Sequence, residues 1–258
     1  MKLNLLNKQI IITGSSSGLG AHFARLLSAE GAKIGLLARR ADKLEALASE
    51  LEQEYGGTVA VASCDVLDPA AIECAFDDLH GQLGGIDVLI NNAGISRQAP
   101  AIEQSLEDWD SVVNTNLRGA WLCAVSAAKH MIADEMPDGS SGSIINIASI
   151  LGLGVAKQVA PYAISKAGVV QMTKALALEW SRYGIRVNAL APGYLHTDLN
   201  AEFVESKAGK SLISRVPQRR LGELSELDGP LLLLASDASS FMTGTVIPVD
   251  GGHLIHSL

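Results

Sequence analysis

Apolar residues in this chain come in short, dense, β-branched runs separated by longer stretches of helical spacing. The runs at 8–13 (KQIIIT), 33–38 (KIGLLA), 58–63 (TVAVAS), 86–90 (IDVLI) and 143–148 (SIINIA) place apolar side chains at consecutive positions. That pattern predicts strands covered on both faces. Between them the period changes. Stretches 21–30, 42–54 and 69–83 read as helices, the first two closed by Gly31 and by Gly56-Gly57. A longer helical pattern begins at Pro161, a residue suited to a first helical turn. Strands alternating with helices of this length predict an α/β fold with a parallel sheet sheathed on both faces, and ligands at the carboxyl ends of its strands.

The residues at those carboxyl ends carry the candidate chemistry. Gly14-Ser15-Ser16-Ser17-Gly18-Leu19-Gly20 follows the first strand and opens a helix. Glycines let the backbone approach a pyrophosphate, and the helix N-terminus adds free N–H groups and a positive dipole end, so the loop predicts a dinucleotide. The second strand ends in Ala38-Arg39-Arg40. An NAD site usually offers a carboxylate here for the ribose 2′-OH, whereas cations suit a 2′-phosphate. NADP(H) is therefore the expected cofactor, with NAD(H) the alternative. The competing use of these arginines is solubility, because Arg40 and Lys43 share a polar helix face. Asp65 and Val66 follow the third strand, Asn91–Gly94 the fourth and Ser149 the fifth.

Tyr162 and Lys166 stand at i and i+4 in the helix that Pro161 opens, with Cβ atoms roughly 5–6 Å apart. A cation beside a phenol favours phenolate, so a group that ordinarily titrates near pH ~10 could exchange a proton near neutrality. A shift of about 3 units requires roughly 4 kcal/mol of differential stabilisation. Taken alone, the pair reads more readily as an exposed tyrosine and a solvated lysine, and the rest of the chain has to change that.

Composition narrows the class. At 258 residues and 48% hydrophobic content, with no linker or repeat, the chain reads as one catalytic domain over 1–258. A net charge of −8 argues against nucleic acid or an anionic membrane as partner. No apolar run approaches the ~20 residues of a membrane span, and the first dozen residues read as the first strand instead of a signal peptide. Cys64, Cys74 and Cys123 lie far apart, as reduced thiols do in a cytoplasmic protein. The six histidines show no metal-binding spacing, so no metal is expected.

Taken in order, the motifs resemble the short-chain dehydrogenase/reductase family, in its long-helix branch, with similarity to 3-oxoacyl reductases and related carbonyl reductases. They are TGxxxGxG (Thr13 to Gly20), NNAG (Asn91 to Gly94), Asn116 before Leu117-x-Gly119, Ser149, YxxxK (Tyr162, Lys166), Pro192-Gly193 with Thr197, and Val249-Asp-Gly-Gly252. Leu19 replaces the commoner Ile. The resemblance spans nearly the whole chain and implies a Rossmann-type, doubly wound sheet of about seven parallel strands. It implies Tyr162 as the acid/base, Lys166 lowering its pKa and binding the nicotinamide ribose, Ser149 on the substrate carbonyl, and Asn116 (not Asn114) holding a relay water. It implies cofactor contacts from Gly14, Ser16, Ser17, Gly18, Leu19, Gly20, Arg39, Asp65, Val66, Asn92, Ala93, Gly94, Tyr162, Lys166, Pro192, Gly193, Leu195 and Thr197. A substrate lid at about 194–222 and a homotetramer (or homodimer) through long helices at 117–135 and 161–183 are also implied.

The activity expected is NADP(H)-dependent hydride transfer between nicotinamide and a ketone or secondary alcohol, a 3-oxoacyl group or a small carbonyl compound. A sugar, polyol or other secondary-alcohol dehydrogenase is the alternative; the intact tetrad argues against a non-catalytic cofactor-binding regulator. The segment 129–138 offers acids Asp134, Glu135 and Asp138 against Lys129, which disfavours an acidic carrier protein as partner and favours a free or CoA-linked substrate.

Overall fold

The consecutive apolar runs are the strands of one parallel sheet. The computed structural model describes residues 3–134, 142–196 and 206–255. Within them lie β1 (Gln9–Thr13), β2 (Lys33–Ala38), β3 (Val59–Ser63), β4 (Val88–Asn91), β5 (Gly142–Ile147), β6 (Ile185–Pro192) and β7 (Val246–Val249). They are ordered β3-β2-β1-β4-β5-β6-β7, and every neighbouring pair is parallel. The chain winds outward from β1 to β3, then returns to place β4 on the other side of β1. That reversal opens a crevice at the carboxyl ends of β1 and β4. The fourth strand starts later than the apolar run because the Asp87 carboxylate accepts from the Gln9 N–H at 2.8 Å, ahead of the ladder.

Alternation along each strand feeds two cores. Ile10 and Ile12 face α1 (Gly18–Ala29) and α2 (Ala41–Tyr55), burying Leu27 and Leu51 with them. Ile11, Leu37 and Leu89 face α3 (Pro69–Leu83), whose Phe76 and Leu79 are fully buried. Asp68 caps α3, accepting from the Ala70 and Ala71 N–H groups at 3.0 and 3.2 Å, and Pro69 fills the first turn, where its missing N–H costs nothing.

The helix expected from residue 117 begins earlier and changes pitch. α4 (Leu106–Val113) runs through a π-helical segment, Asn114–Gly119, into α5 (Ala120–Ala133). The wider turn carries Asn116 into the protein, where it is buried. α6 (Ala160–Trp180) follows, with Pro161 in its first turn. Within the stretch expected to be an irregular lid lies α7 (Lys207–Ile213), capped by Ser206 Oγ, which accepts from the Gly209 N–H at 3.0 Å. Its seven residues include a central glycine, too short and broken a pattern to read as periodic. α8 (Asp228–Ala235) completes the layer beside α1. Thr197, Leu199, Phe203 and the connection at 135–141 lie outside the described residues. Among the described residues, no helix is long and apolar enough to cross a membrane.

One contact ties the sheet edge to α6. A Cβ built on Gly152 would lie 2.6 Å from the Lys166 carbonyl oxygen, so this position admits glycine alone without moving backbone. Gly152→Ala should therefore destabilise the protein by about 1–3 kcal/mol. Gly81→Ala, in α3 where a Cβ meets nothing within 4 Å, should stabilise it by about 0.4–1 kcal/mol. Urea unfolding of the two variants checks the opposite signs; equal effects would contradict the close approach.

Candidate active site

A cavity of about 790 Å³ runs along the carboxyl ends of the strands, from Arg39 and Asp65 past Gly14 and Asn92 to Ser149, Tyr162 and Leu195. All the residues expected at the site line it except four. Gly20 and Asn116 are buried behind the cleft surface, Gly18 is exposed but not on the cavity wall, and Thr197 lies outside the described residues.

At the glycine loop the structure shows why these residue types are needed. A Cβ on Gly14, whose φ is +66°, would sit 2.8 Å from Ala93 Cα, and one on Gly20 would sit 2.4 Å from the Gly14 carbonyl oxygen. The loop is splinted from β4. Thr13 Oγ1 accepts from the N–H groups of Asn92 and Ala93, both at 3.0 Å. Asn92 Nδ2 donates to the carbonyls of Thr13 and Gly14 at 3.0 and 3.2 Å. Ser17 stands at the N-cap of α1 without capping it. Its hydroxyl and that of Ser16 instead accept from Arg40 Nη2 at 2.9 and 2.8 Å. The first N–H groups of α1 therefore face the cleft uncapped, beside a cation. This is a donor set that fits a pyrophosphate.

The sequence offers Arg40 beside Arg39 as a cation for a 2′-phosphate or as a polar-face arginine; its bonds to Ser16 and Ser17 span more than twenty residues and leave no local signal. Arg39, by contrast, is 70% exposed and only 4.0 Å from Asp65 Oδ2.

At the other end, β5 stops at Ile147 and the chain turns at Ser149, which N-caps a single 3₁₀ turn by accepting from the Leu151 N–H at 3.1 Å. The Ser149 hydroxyl also stands near enough to the Tyr162 phenol to favour its ionised form. One helical turn on, Lys166 is 5% exposed. Its Nζ lies 5.7 Å from the centre of the Tyr162 ring and donates to the Ile147 carbonyl at 2.6 Å. Asn116 is held on three sides. Its Oδ1 accepts from the Ile95 N–H at 2.8 Å, and its Nδ2 donates to the Ile95 carbonyl at 2.9 Å and to Ser165 Oγ at 3.1 Å. Ser165 in turn donates to the Tyr162 carbonyl at 2.7 Å.

The electrostatics depart from the sequence expectation. Burial pushes the Tyr162 phenol above its ordinary value; the Ser149 hydroxyl pulls it partly back, and the nearby Tyr194 phenol raises it further. The Lys166 nitrogen is turned to the Ile147 carbonyl, and the burial of the phenol outweighs its pull. Burial also brings Lys166 down to about 8. One carbonyl replaces only part of the hydration that a free ammonium enjoys.

Comparisons with known proteins place the chain in a family. The family model described as enoyl-(acyl carrier protein) reductase matches residues 14–253. Gluconate 5-dehydrogenase of Gluconobacter oxydans is 37% identical over 250 residues, covering 96% of this chain and 95% of that protein. The 3-oxoacyl-[acyl-carrier-protein] reductase FabG of Thermotoga maritima is 38% identical over 253 residues, covering 98% and 100%. The chain belongs to the short-chain dehydrogenase/reductase family. A crystal structure of a gluconate 5-dehydrogenase from Burkholderia cenocepacia, in complex with NADP and tartrate, superposes with a TM-score of 0.92 at 38% identity, covering 99% of this chain and 98% of that one. The protein is accordingly an oxidoreductase with the Rossmann-type fold of that family.

The buried lysine makes a pH-dependent prediction. Between pH 8 and 10.5 the unfolded chain keeps the Lys166 proton that the folded chain has lost, so the unfolded state binds more protons and stability rises with pH. The penalty for burying the charge is complete below pH 8 and amounts to about 3 kcal/mol. Lys166→Met should be more stable than the native chain at pH 7.5, with the advantage shrinking by about that amount toward pH 10.5. Urea unfolding of both proteins across this range tests the sign; an advantage that grew with pH would contradict it.

Proposed function

We propose that this enzyme is an NADP(H)-dependent carbonyl reductase/secondary-alcohol dehydrogenase acting on a small or CoA-linked 3-oxo or ketone substrate. The observation that carries the reading is convergence. Ser149, Tyr162 and Lys166 meet in the same cleft as the uncapped start of α1. The dinucleotide would be held by the Gly14–Gly20 loop, by Asp65 and Val66 at one end, and by Asn92–Gly94, Lys166 and Pro192-Gly193 at the other. When bound, its nicotinamide supplies or accepts the hydride. Ser149 orients the substrate oxygen by hydrogen bonding. Tyr162 gives that oxygen a proton in reduction and takes one in oxidation. Lys166 replenishes the proton from behind, and Asn116 fixes the Ile95 backbone so that a water can join the relay.

Arg39 and Arg40 divide the ribose end. Arg40 organises Ser16 and Ser17, while Arg39 is free to meet a 2′-phosphate in a charge-assisted contact. Lys129, the cation of the 129–138 segment, is paired with Glu73 at 3.2 Å, which supports a substrate not delivered on an acidic carrier protein. A second reading, a sugar-acid dehydrogenase, is favoured by Arg97, a cation on the same cleft wall as Ile95 and Ser96. Exposed Trp121 and Leu178 on α5 and α6 support a homotetramer assembled through those helices. We read the chain as one catalytic domain with a lid at 194–222, working in the cytoplasm.

Assays of NADPH and NADH oxidation against ketones, 3-oxoacyl thioesters and keto-sugars test the activity. Tyr162→Phe should lower kcat by about 10²–10⁴-fold while leaving cofactor binding within error; a near-native kcat would overturn the mechanism. Arg39→Ala should lower the NADPH-over-NADH ratio of kcat/KM by about 10- to 100-fold, the equivalent of a charge-assisted hydrogen bond. Equal kcat/KM for the two cofactors in the native enzyme would overturn the NADP(H) assignment.

A further inference from the structure

The cleft wall nearest Tyr162 is a short piece of backbone strung between two anchors. Ile95, Ser96 and Arg97 line the cavity with Ser149 and Tyr162. The first anchor is Asn116, which grips both the N–H and the carbonyl of Ile95. The second is Gln158. Its carbonyl accepts from the Ala99 N–H at 2.9 Å, and its side-chain Oε1 accepts from Gln98 Nε2 at 3.1 Å. Between the anchors, Arg97 Nε is braced by Asp108 Oδ1 at 3.3 Å.

Gln158 makes these contacts from an unfavourable backbone. Its φ is +66°, in the left-handed region, shared among described non-glycine residues only by Asn7 and Arg219. A glutamine has no intrinsic preference for that conformation, so it persists only where the surroundings over-determine it. Here the surroundings are the Ala99 and Gln98 contacts. Gln158 also lies on the connection between Ser149 and Tyr162, four residues before the tyrosine. The wall is thus referenced directly to the segment that positions the reacting groups.

We propose that Gln158 is a specificity-determining residue, a latch that fixes the 95–99 wall at a set distance from Ser149 and Tyr162. The proposal rests on the reading of this cleft as the substrate site. A fixed wall holds a compact ketone close to both hydroxyls and leaves no room for a bulky one; a released wall does neither. Gln158 touches no reacting atom, so its loss should act on KM and selectivity before kcat.

Two independent readouts test this on the full chain. The first is hydrogen exchange at the Ala99 amide, which needs no substrate. Gln158→Ala keeps the carbonyl that holds the Ala99 amide but removes the Gln98 bond that offsets its left-handed backbone, and should accelerate the exchange by about tenfold or more. Gln158→Asn, a residue that accepts left-handed φ, should restore part of the protection. The second is kinetics with NADPH and two ketones of different bulk, ethyl acetoacetate and trans-1-decalone. Gln158→Ala should raise KM for the compact ketone about tenfold, with kcat changed less than about threefold, and shift relative kcat/KM toward the bulky one. Gln98→Ala should do the same to a smaller extent. Unchanged Ala99 exchange in Gln158→Ala, or unchanged selectivity, would overturn the proposal. Absence of turnover by the native chain on either ketone counts against the substrate reading, and Ala99 exchange then decides the latch alone.

Discussion

Lys166 carries an ionisable nitrogen into a nearly fully buried position at the cleft floor, and much of the surrounding structure follows from keeping it there. Its single backbone partner, the Ile147 carbonyl at 2.6 Å, is available because β5 ends at that residue. The approach of the 150–152 turn to the Lys166 carbonyl leaves space for no side chain at Gly152. On the cleft side, a Cβ on Gly94 would stand 3.6 Å from Nζ and 3.4 Å from Asn116 Oδ1, in ordinary contact with both. The same burial acts oppositely on the two neighbours. It raises a phenol and lowers an ammonium, so an uncharged tyrosine and a lysine brought down to about 8 face one cleft. A pair in that condition can pass a proton without first stripping water from an ion.

A buried polar network holds the frame in register around this pair. Asn91 Nδ2 donates to the Ala120 carbonyl at 2.9 Å, just past the π-helical segment, and to Asn146 Oδ1 at 3.0 Å. Asn146 Nδ2 donates to Thr173 Oγ1 at 2.9 Å, and Thr173 donates to the Val169 carbonyl at 2.8 Å. The end of β4 is therefore tied to α5, β5 and α6 at once. The unusual pitch at Asn114–Gly119 is held from within by Asn116, which grips Ile95 and Ser165, and just past its end by Asn91, which grips Ala120. Polar groups this deep are costly unless bonded; Asn91 Oδ1 has no partner among the described residues, but the bonded groups of the network specify one arrangement where an apolar core would tolerate several.

The first five strands and the position of the cleft were legible in the sequence because consecutive apolar runs and 3.6-residue spacing are one-dimensional signals, whereas β6 and β7 were implied only by the family resemblance. The glycine loop and the Tyr162–Lys166 spacing were legible for the same reason. The π-helical pitch at Asn116 was not, since its side-chain pattern differs from an ordinary helix by only one residue. Nor was the role of Arg40, whose partners Ser16 and Ser17 lie over twenty residues away and meet it only through the β1–β2 pairing. The direction of the Tyr162 shift was missed because i, i+4 spacing gives proximity but not where the Lys166 nitrogen points. The Gln98–Gln158 contact crosses sixty residues and leaves no local trace.

The account holds that burial, and not the neighbouring ammonium, sets the proton affinity of Tyr162. The chain has four tyrosines, so an ultraviolet difference titration of native protein against Tyr162→Phe isolates this one phenol. The account predicts a midpoint above the ordinary value near pH ~10 for the chain alone. A midpoint below that value would show Lys166 acting on the phenol directly and would contradict it.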